Sequence, residues 1–155
     1  MPDDGGGPLI AVLLRVPYQA VIARVTRRLR DEYPGLRPAH LIVFQTLDHP
    51  PAGTRLSELA ERAQMTVQSM GELVDALERG GYVERIPDPT DRRAKLIRYT
   101  DRGWAVHERG GAIMSALQAE WAGRLGSEKL AQLLALLREL HGSLQTRPDR
   151  ADAED

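Results

Sequence analysis

The chain has no cysteine and few aromatic residues, which make up 5% of its 155 residues. The lack of cysteine excludes disulfides, thiol catalysis and thiol-based redox sensing, and it is typical of a reducing compartment. The formal net charge is only −1, so the surface as a whole is not basic. A near-zero total leaves nucleic-acid binding open, because the distribution of charge decides it.

A long apolar run and a signal-like start are also missing. The longest apolar run is LIAVLL at 9–14, far below the roughly 20 residues that span a bilayer. The acidic, glycine-rich start MPDDGGG differs from the basic start of a signal peptide. We therefore expect a cytoplasmic protein without membrane contact. Residues 1–8 and 146–155 are predicted to be disordered tails around a single domain at 9–145.

Helical periodicity dominates both ends of that domain. A first helix is predicted over 9–33, and Pro17 either kinks it or starts a new first turn. Pro38 suits the first position of a second helix at 38–47. The last helix has leucines at steps of three and four residues, as in a packed helix seam. These leucines are Leu130, Leu133, Leu134, Leu137, Leu140 and Leu144.

A helix-turn-helix pattern occupies the middle of the chain. Ser57 is expected to cap a short helix, and Thr66 to cap a second helix that runs to Arg79. Gly80 and Gly81 are expected to end that second helix. A short helix, a tight turn and a second capped helix together predict the motif.

The stretch VERIPDPTDRRAKLIRYT at 83–100 follows directly. Its apolar ends predict two strands, and its prolines and aspartates predict a turn that contains the cations. Residues 85–100 hold five basic and two acidic side chains, a local charge of +3. Fixed cations on a projecting element favour DNA phosphates or the minor groove. We expect Asp91 to hold the Arg93 side chain in position, and Thr100 to cap a long following helix.

The segment LSELAERAQMTVQSMGELVDALERGGYVERIPDPTDRRAKLIRYTDRG at 56–103 resembles the MarR family of bacterial transcriptional regulators. The strongest signatures are LERGGYVER, DPTDRRAK and YTDRG. The resemblance implies a mainly α winged helix-turn-helix fold with about six helices and a two-stranded β wing. Residues 38–103 would form the DNA-reading lobe, and helices 9–33 and 104–145, from both termini, would form the dimer. It also implies a homodimer that represses or activates transcription at pseudo-palindromic double-stranded DNA, with repression the first expectation and release by a small ligand common.

Candidate sites follow from the motif and from the resemblance. The residues expected to contact DNA are Thr66, Gln68, Ser69, Glu72, Arg92, Arg93 and Lys95. Glutamine forms a paired contact to adenine, and serine or threonine contacts base or phosphate. The residues suggested for a pocket that binds a small aromatic or other apolar ligand are Tyr18, His40, Trp104 and His107. Each of these four is equally compatible with ordinary core packing.

Two other classes of function were weighed against DNA binding. The helix at 65–81 holds one basic residue, Arg79, against three acids, so its balance is −2. This leaves open a winged-helix module that binds another protein and has weak or lost DNA binding. An enzyme is not expected, because the chain lacks a phosphate-binding glycine loop and a recognisable nucleophile and base. The four histidines have no metal-ligand spacing, so neither a metal nor a cofactor is expected.

Overall fold

The computed structural model describes residues 9–145. The elements are α1 (Leu9–Glu32), a 3-10 turn (Pro38–His40), α2 (Leu41–Thr46), β1 (Thr54–Arg55), α3 (Leu56–Arg62), α4 (Val67–Arg79), β2 (Val83–Asp88), β3 (Asp91–Tyr99), α5 (Asp101–Leu125) and α6 (Ser127–Gln145). The predicted winged helix-turn-helix fold with six helices is confirmed. The tails predicted at 1–8 and 146–155 lie outside the described residues.

The chain divides into two compact units, Met1–Ile113 and Met114–Asp155. The first unit contains the helix-turn-helix, the sheet and the first half of α5. Its buried apolar side chains come from all of its helices and from strands β2 and β3. They include Val25, Leu29, Leu36, Val43, Phe44, Leu59, Met70, Val74, Leu77, Ile97 and Val106. This core fixes the orientation of α4 and of the sheet.

Helix α1 continues through Pro17, so the alternative that Pro17 starts a new first turn is wrong. Its buried face is short and consists of Val25, Thr26 and Leu29. Within the described chain, α1 is the one helix long and apolar enough to cross a membrane by length and composition, and 11% of that window is buried. The longest unbroken apolar run in α1 is only six residues, 9–14, so run length alone does not single this helix out. A helix of a soluble protein passes the same test, so this is weak evidence for a membrane span.

The helix-turn-helix consists of α3 and α4. Helix α3 begins at Leu56, and the backbone N–H of Arg55 donates to Glu58 Oε2 at 3.3 Å. The prediction that Ser57 caps α3 is therefore wrong, because Ser57 already lies inside the helix. Thr66 does cap α4, and Gly81 follows its end with φ +72°, a conformation that glycine adopts without strain.

A three-stranded antiparallel sheet in the order β1-β3-β2 carries the wing. The two-stranded hairpin predicted for the wing is β2 and β3. The short strand β1 was missed; it pairs Thr54 with Ile97 and Arg55 with Leu96. The wing is therefore anchored along β3 to the residues that immediately precede α3.

The second unit contains the end of α5 and all of α6. Gly126, at φ +88°, lies between the two helices. In this unit Leu117 and Leu130 are buried, whereas most leucines of the predicted seam are exposed on the single chain. The exposed members are Leu133, Leu137, Leu140 and Leu144, together with the neighbouring Leu136.

Candidate nucleic-acid interface

The first turn of α4 presents a short polar surface to solvent. The Thr66 hydroxyl accepts the backbone N–H of Ser69 at 3.1 Å and lies 2.9 Å from the Ser69 hydroxyl. Gln68 and Ser69 are exposed, and so is Glu72, one turn further along. Val67 is 50% exposed at the same end of the helix. Residues at the start of the second helix of this motif are those that reach base edges in a DNA groove.

The acidic character of α4 is offset by an arginine from outside the helix. The Arg85 guanidinium, on β2, donates to Asp75 Oδ1 at 2.6 Å and also pairs with Glu78. Burial lowers the pKa of Arg85, but the hydrogen bond to Asp75 and the charge of Glu78 outweigh it, so the pKa is raised overall. Two of the three acids of α4 are thus paired with the wing strand. Counting Arg85, the balance of −2 becomes −1.

The tip of the wing is an irregular bulge and not the long turn predicted from sequence. The turn proper is Pro89–Thr90, and the arginines and lysine lie on β3. Regular pairing ends at Pro87 opposite Lys95, and the next pair is Asp88 opposite Asp91. The three residues between, 92–94, therefore have no partner on β2, so the ladder is locally disrupted there.

The three candidate cations of the wing are all exposed. Arg92 and Arg93 lie in the bulge, and Lys95 is the first residue after it. Among residues 9–145, no carboxylate forms an ion pair with Arg92, Arg93 or Lys95. Their charges are therefore available to phosphate groups.

Two aspartates shape the backbone of the tip. Asp91 Oδ1 accepts the backbone N–H of Arg93 at 3.0 Å, so the predicted contact of Asp91 with the Arg93 guanidinium is not observed. Asp88, 6% exposed, accepts the hydroxyl and the backbone N–H of Thr90 and the guanidinium of Arg55. The Thr90 bonds, and then the bond from Arg55, hold the pKa of Asp88 at about 2.

The four candidate ligand residues do not form one group. Trp104 and His107 stack, with ring centroids 4.8 Å apart. His49 and Tyr99 complete this aromatic cluster; the His49 ring lies 4.9 Å from His107. Tyr18 and His40 take part in none of the ring contacts within the described chain. The former is exposed on α1, and the latter is buried, where its Nδ1 accepts the backbone N–H of Arg37.

The aromatic cluster favours uncharged rings. Burial lowers the pKa of His107, and the neighbouring His49 lowers it further. Burial also raises the pKa of Tyr99, whose hydroxyl donates to the backbone carbonyl of Phe44 at 2.8 Å. Protonating His107 therefore works against the packing of this cluster.

Several residues of the interface were missed in the sequence analysis. Val67, half exposed beside Gln68 at the start of α4, is a further candidate. Arg55, Arg85 and Asp88 act through partners distant in sequence, and no local pattern signals such pairs.

Known proteins resemble this chain in sequence and in fold. A sequence profile of the MarR family matches residues 35–94. The transcriptional regulator HosA of Escherichia coli O111:H- is 28% identical over 116 residues, 74% of this chain and 84% of HosA. The transcriptional regulator Tm0710 of Thermotoga maritima has a TM-score of 0.61 and 28% identity, and the match covers 90% of this chain and 96% of Tm0710.

The fold is supported further by a more distant structure. The apo form of MarR from Escherichia coli superimposes with a TM-score of 0.69 at 23% identity, over 84% of this chain and 95% of MarR. The capped helix α4, the cationic wing and the two sequence matches all indicate similarity to this family. The chain is therefore similar to MarR-family transcriptional regulators, in sequence over residues 35–94 and in fold over most of its length.

Proposed function

We propose that the protein is a cytoplasmic repressor that binds pseudo-palindromic duplex DNA as a homodimer and is released by a small apolar ligand. Residues 38–103 form the DNA-reading lobe, and helices 9–33 and 104–145 form the dimer. The observation that carries the proposal is the exposed wing tip, whose cations have no acidic partner in the described chain, on the same lobe as the capped start of α4.

The two elements of the lobe have different tasks. Arg92, Arg93 and Lys95 supply affinity that tolerates changes of sequence, because they meet phosphates or the negative minor groove. Gln68 and Ser69 read bases. The remaining α4 contacts are Thr66 to phosphate, Glu72 to a cytosine amino group and Val67 to a thymine methyl group.

The pairing of α4 acids with Arg85 favours DNA binding over a pure protein–protein role. The acidic helix was the main reason to consider such a role. With Asp75 and Glu78 paired to Arg85, Glu72 is the one acid of α4 without an ion pair in the described chain. A single exposed carboxylate is compatible with a DNA groove, where it accepts from cytosine.

The homodimer is supported by apolar surface that one chain leaves exposed. Leu9, Ile10 and Leu13 are more than half exposed on α1, and the α6 leucines are exposed as well. Such surface marks an interface. In the dimer we expect the two α4 helices to lie about one DNA turn (~34 Å) apart, or a multiple of it.

The dimer is tested by placing a charge in the α6 seam. Leu137→Arg should convert the dimer to a monomer in light scattering at micromolar concentration, because burying an unpaired charge is costly. Arg138→Leu, next to it on the same helix, is the control that changes a charge without touching the leucines. A wild-type monomer at that concentration contradicts the dimer.

The ligand part of the proposal rests on Trp104 and His107, with Tyr18 and His40 as further candidates. Stacked aromatic rings suit a flat apolar molecule. A panel of aromatic acids should raise the melting temperature and release DNA. If no compound does either, ligand release by this class of molecule is wrong.

The DNA contacts are tested by fluorescence anisotropy on a duplex from the neighbouring promoter and on a random duplex. Arg93→Ala should weaken binding to both and flatten the dependence of log K on log salt by roughly one unit per lost phosphate contact. Gln68→Ala should keep that slope and lose about 1–3 kcal/mol of preference for its base.

Arg98→Ala is the matched control on the same strand. Arg98 already donates to Glu84 Oε1 at 2.7 Å, so its loss should change the slope little. A wild-type slope and wild-type affinity for Arg93→Ala would show that the wing is only a loop. No binding by the wild type at any salt concentration would favour the protein-binding alternative.

A further inference from the structure

The base of the wing tip is built on a single buried carboxylate. Asp88 is the one buried acidic side chain among the residues whose burial is described. Its Oδ1 accepts the Thr90 backbone N–H at 2.8 Å and the Thr90 hydroxyl at 2.7 Å. Its Oδ2 accepts Arg55 Nε at 2.8 Å and lies 2.6 Å from Arg55 Nη2 in the same ion pair. Three donors and the ion pair with Arg55 fix this carboxylate strongly, because charge-assisted bonds are stronger than neutral ones.

The cationic bulge begins at Asp88. Pairing between β2 and β3 is regular up to Pro87 and Lys95, and the irregularity starts between Pro87 and Asp88. Beyond that point the ladder no longer controls the direction of Arg92 and Arg93. Side-chain bonds replace it, with Asp88 holding the near side of the turn and Asp91 the far side.

Arg55 ties this turn to the helix-turn-helix. Its backbone lies in β1, at the residue before α3, and its N–H is held by Glu58. Its side chain reaches 33 residues along the chain to Asp88, and its Nη2 lies 3.4 Å from the Thr90 hydroxyl. The charge of Arg55 is already matched by Asp88, so it is less available to a phosphate than the cations of the bulge.

We propose that Arg55 and Asp88 are positioning residues that fix the direction of Arg92 and Arg93 relative to α4, and that they affect DNA affinity only through those two arginines. This inference rests on the DNA-binding role proposed above for the wing. If it is correct, the Arg55–Asp88 pair acts in recognition as well as in folding. If the Arg55–Asp88 pair stabilised the fold alone, breaking it would leave the direction of Arg92 and Arg93 unchanged.

A double-mutant cycle in DNA affinity separates these two cases, since residues that act through one another are not additive. Asp88→Asn should weaken binding to the promoter duplex by about threefold to tenfold, a part of the affinity that the arginines supply. In the Arg92→Ala/Arg93→Ala background the same change should alter affinity by less than about twofold, because the residues it positions are gone. The salt slope of Asp88→Asn should also move toward that of the double variant.

Asp48→Asn is a matched control. Asp48 also accepts from an arginine and a threonine, Arg62 at 3.0 Å and Thr54 at 2.8 Å, but it does not contact the wing tip. We expect it to lower the melting temperature without changing DNA affinity or the salt slope. Arg55→Met removes the other partner of the Arg55–Asp88 pair. It is used in place of Asp88→Asn if that variant does not fold.

Each outcome has a distinct meaning. If Asp88→Asn weakens DNA binding equally in the wild-type and the Arg92→Ala/Arg93→Ala backgrounds, the positioning role is wrong and the role of the wing stands. The same conclusion follows if Asp88→Asn leaves DNA affinity unchanged while Arg92→Ala/Arg93→Ala lowers it. If the arginine variant itself keeps wild-type affinity and salt slope, the proposed role of the wing is wrong, and the positioning role is overturned with it.

Discussion

Replacing Arg85 by methionine removes the guanidinium that joins Asp75 and Glu78 of α4 to the wing strand. Methionine keeps most of the aliphatic length of the side chain, so the change mainly removes charge. Two carboxylates on the DNA-reading helix then lose their cation. We expect a small loss of stability and a measurable loss of DNA affinity.

The magnitudes follow from exposure and charge. The side chains of Asp75 and Glu78 are 55% and 38% exposed, and exposed ion pairs each contribute about 0.2–1 kcal/mol. Losing both lowers the free energy of unfolding by about 1 kcal/mol, which shifts the melting temperature by about 2–4 °C. A unit charge about 8 Å from a phosphate costs about 0.5 kcal/mol in water. In a dimer each subunit loses one such charge, so the total cost in binding free energy is about 1 kcal/mol. This corresponds to a roughly fivefold higher Kd.

The assay is anisotropy on the promoter duplex at fixed salt, with thermal melting of the free protein in parallel. Arg109→Met is the control, because Arg109 pairs with Glu32 between α5 and α1 and its loss changes the net charge equally. It should lower affinity clearly less than Arg85→Met. The reasoning is refuted if Arg85→Met is folded and binds DNA as tightly as the wild type, or if both variants lose affinity equally.

Four further predictions concern stability. Thr66→Ala removes the cap of α4 and should cost about 1 kcal/mol in urea denaturation, whereas Thr66→Ser should keep it. Gly103→Ala should cost about 3 kcal/mol or more, because its Cβ would lie 1.8 Å from the carbonyl oxygen of Tyr82; a melting curve like that of the wild type would contradict this contact. Since the pKa of Asp88 falls from 3.8 to about 2 on folding, its contribution is complete above pH 3.8 and is lost as the pH falls through about 2; Asp88→Asn should make urea midpoints less sensitive to pH in that range. The pKa of His107 is lowered by burial and by His49, so the unfolded chain takes up the proton first and stability should decline below pH 6.5; His107→Gln should reduce that decline, and an equally steep decline in the variant would show that other groups cause it.

The parts of the fold that local chemistry determines could be predicted from sequence. Thr66 and Thr100 precede apolar helical periods, and Gly81 follows one, so caps and ends could be recognised. The Thr100 hydroxyl accepts the backbone N–H of Gly103 at 3.1 Å, as a cap should. The cationic character of the wing was also visible, because it depends on composition alone.

The errors occurred where distant segments override local preference. Ser57 is a good capping residue, but pairing of β1 with β3 keeps Arg55 extended and lets the helix begin at Leu56. The cations around Arg93 looked like part of a turn because prolines and aspartates surround them. Instead they lie on strand β3, where residues 92–94 form a bulge without partners on β2. The sheet brings Asp88 next to Arg55, which is 33 residues away in sequence.

The central claim is that this lobe binds duplex DNA through charge on the wing, and one measurement tests it most directly. Wild-type protein is titrated onto the promoter duplex and a random duplex at several salt concentrations between about 50 and 200 mM. We predict tighter binding to the promoter duplex, with log K falling linearly as log salt rises, and a flatter line for Arg92→Ala/Arg93→Ala. Absence of binding at the lowest salt, or a line for the double variant that coincides with the wild type, would contradict the account.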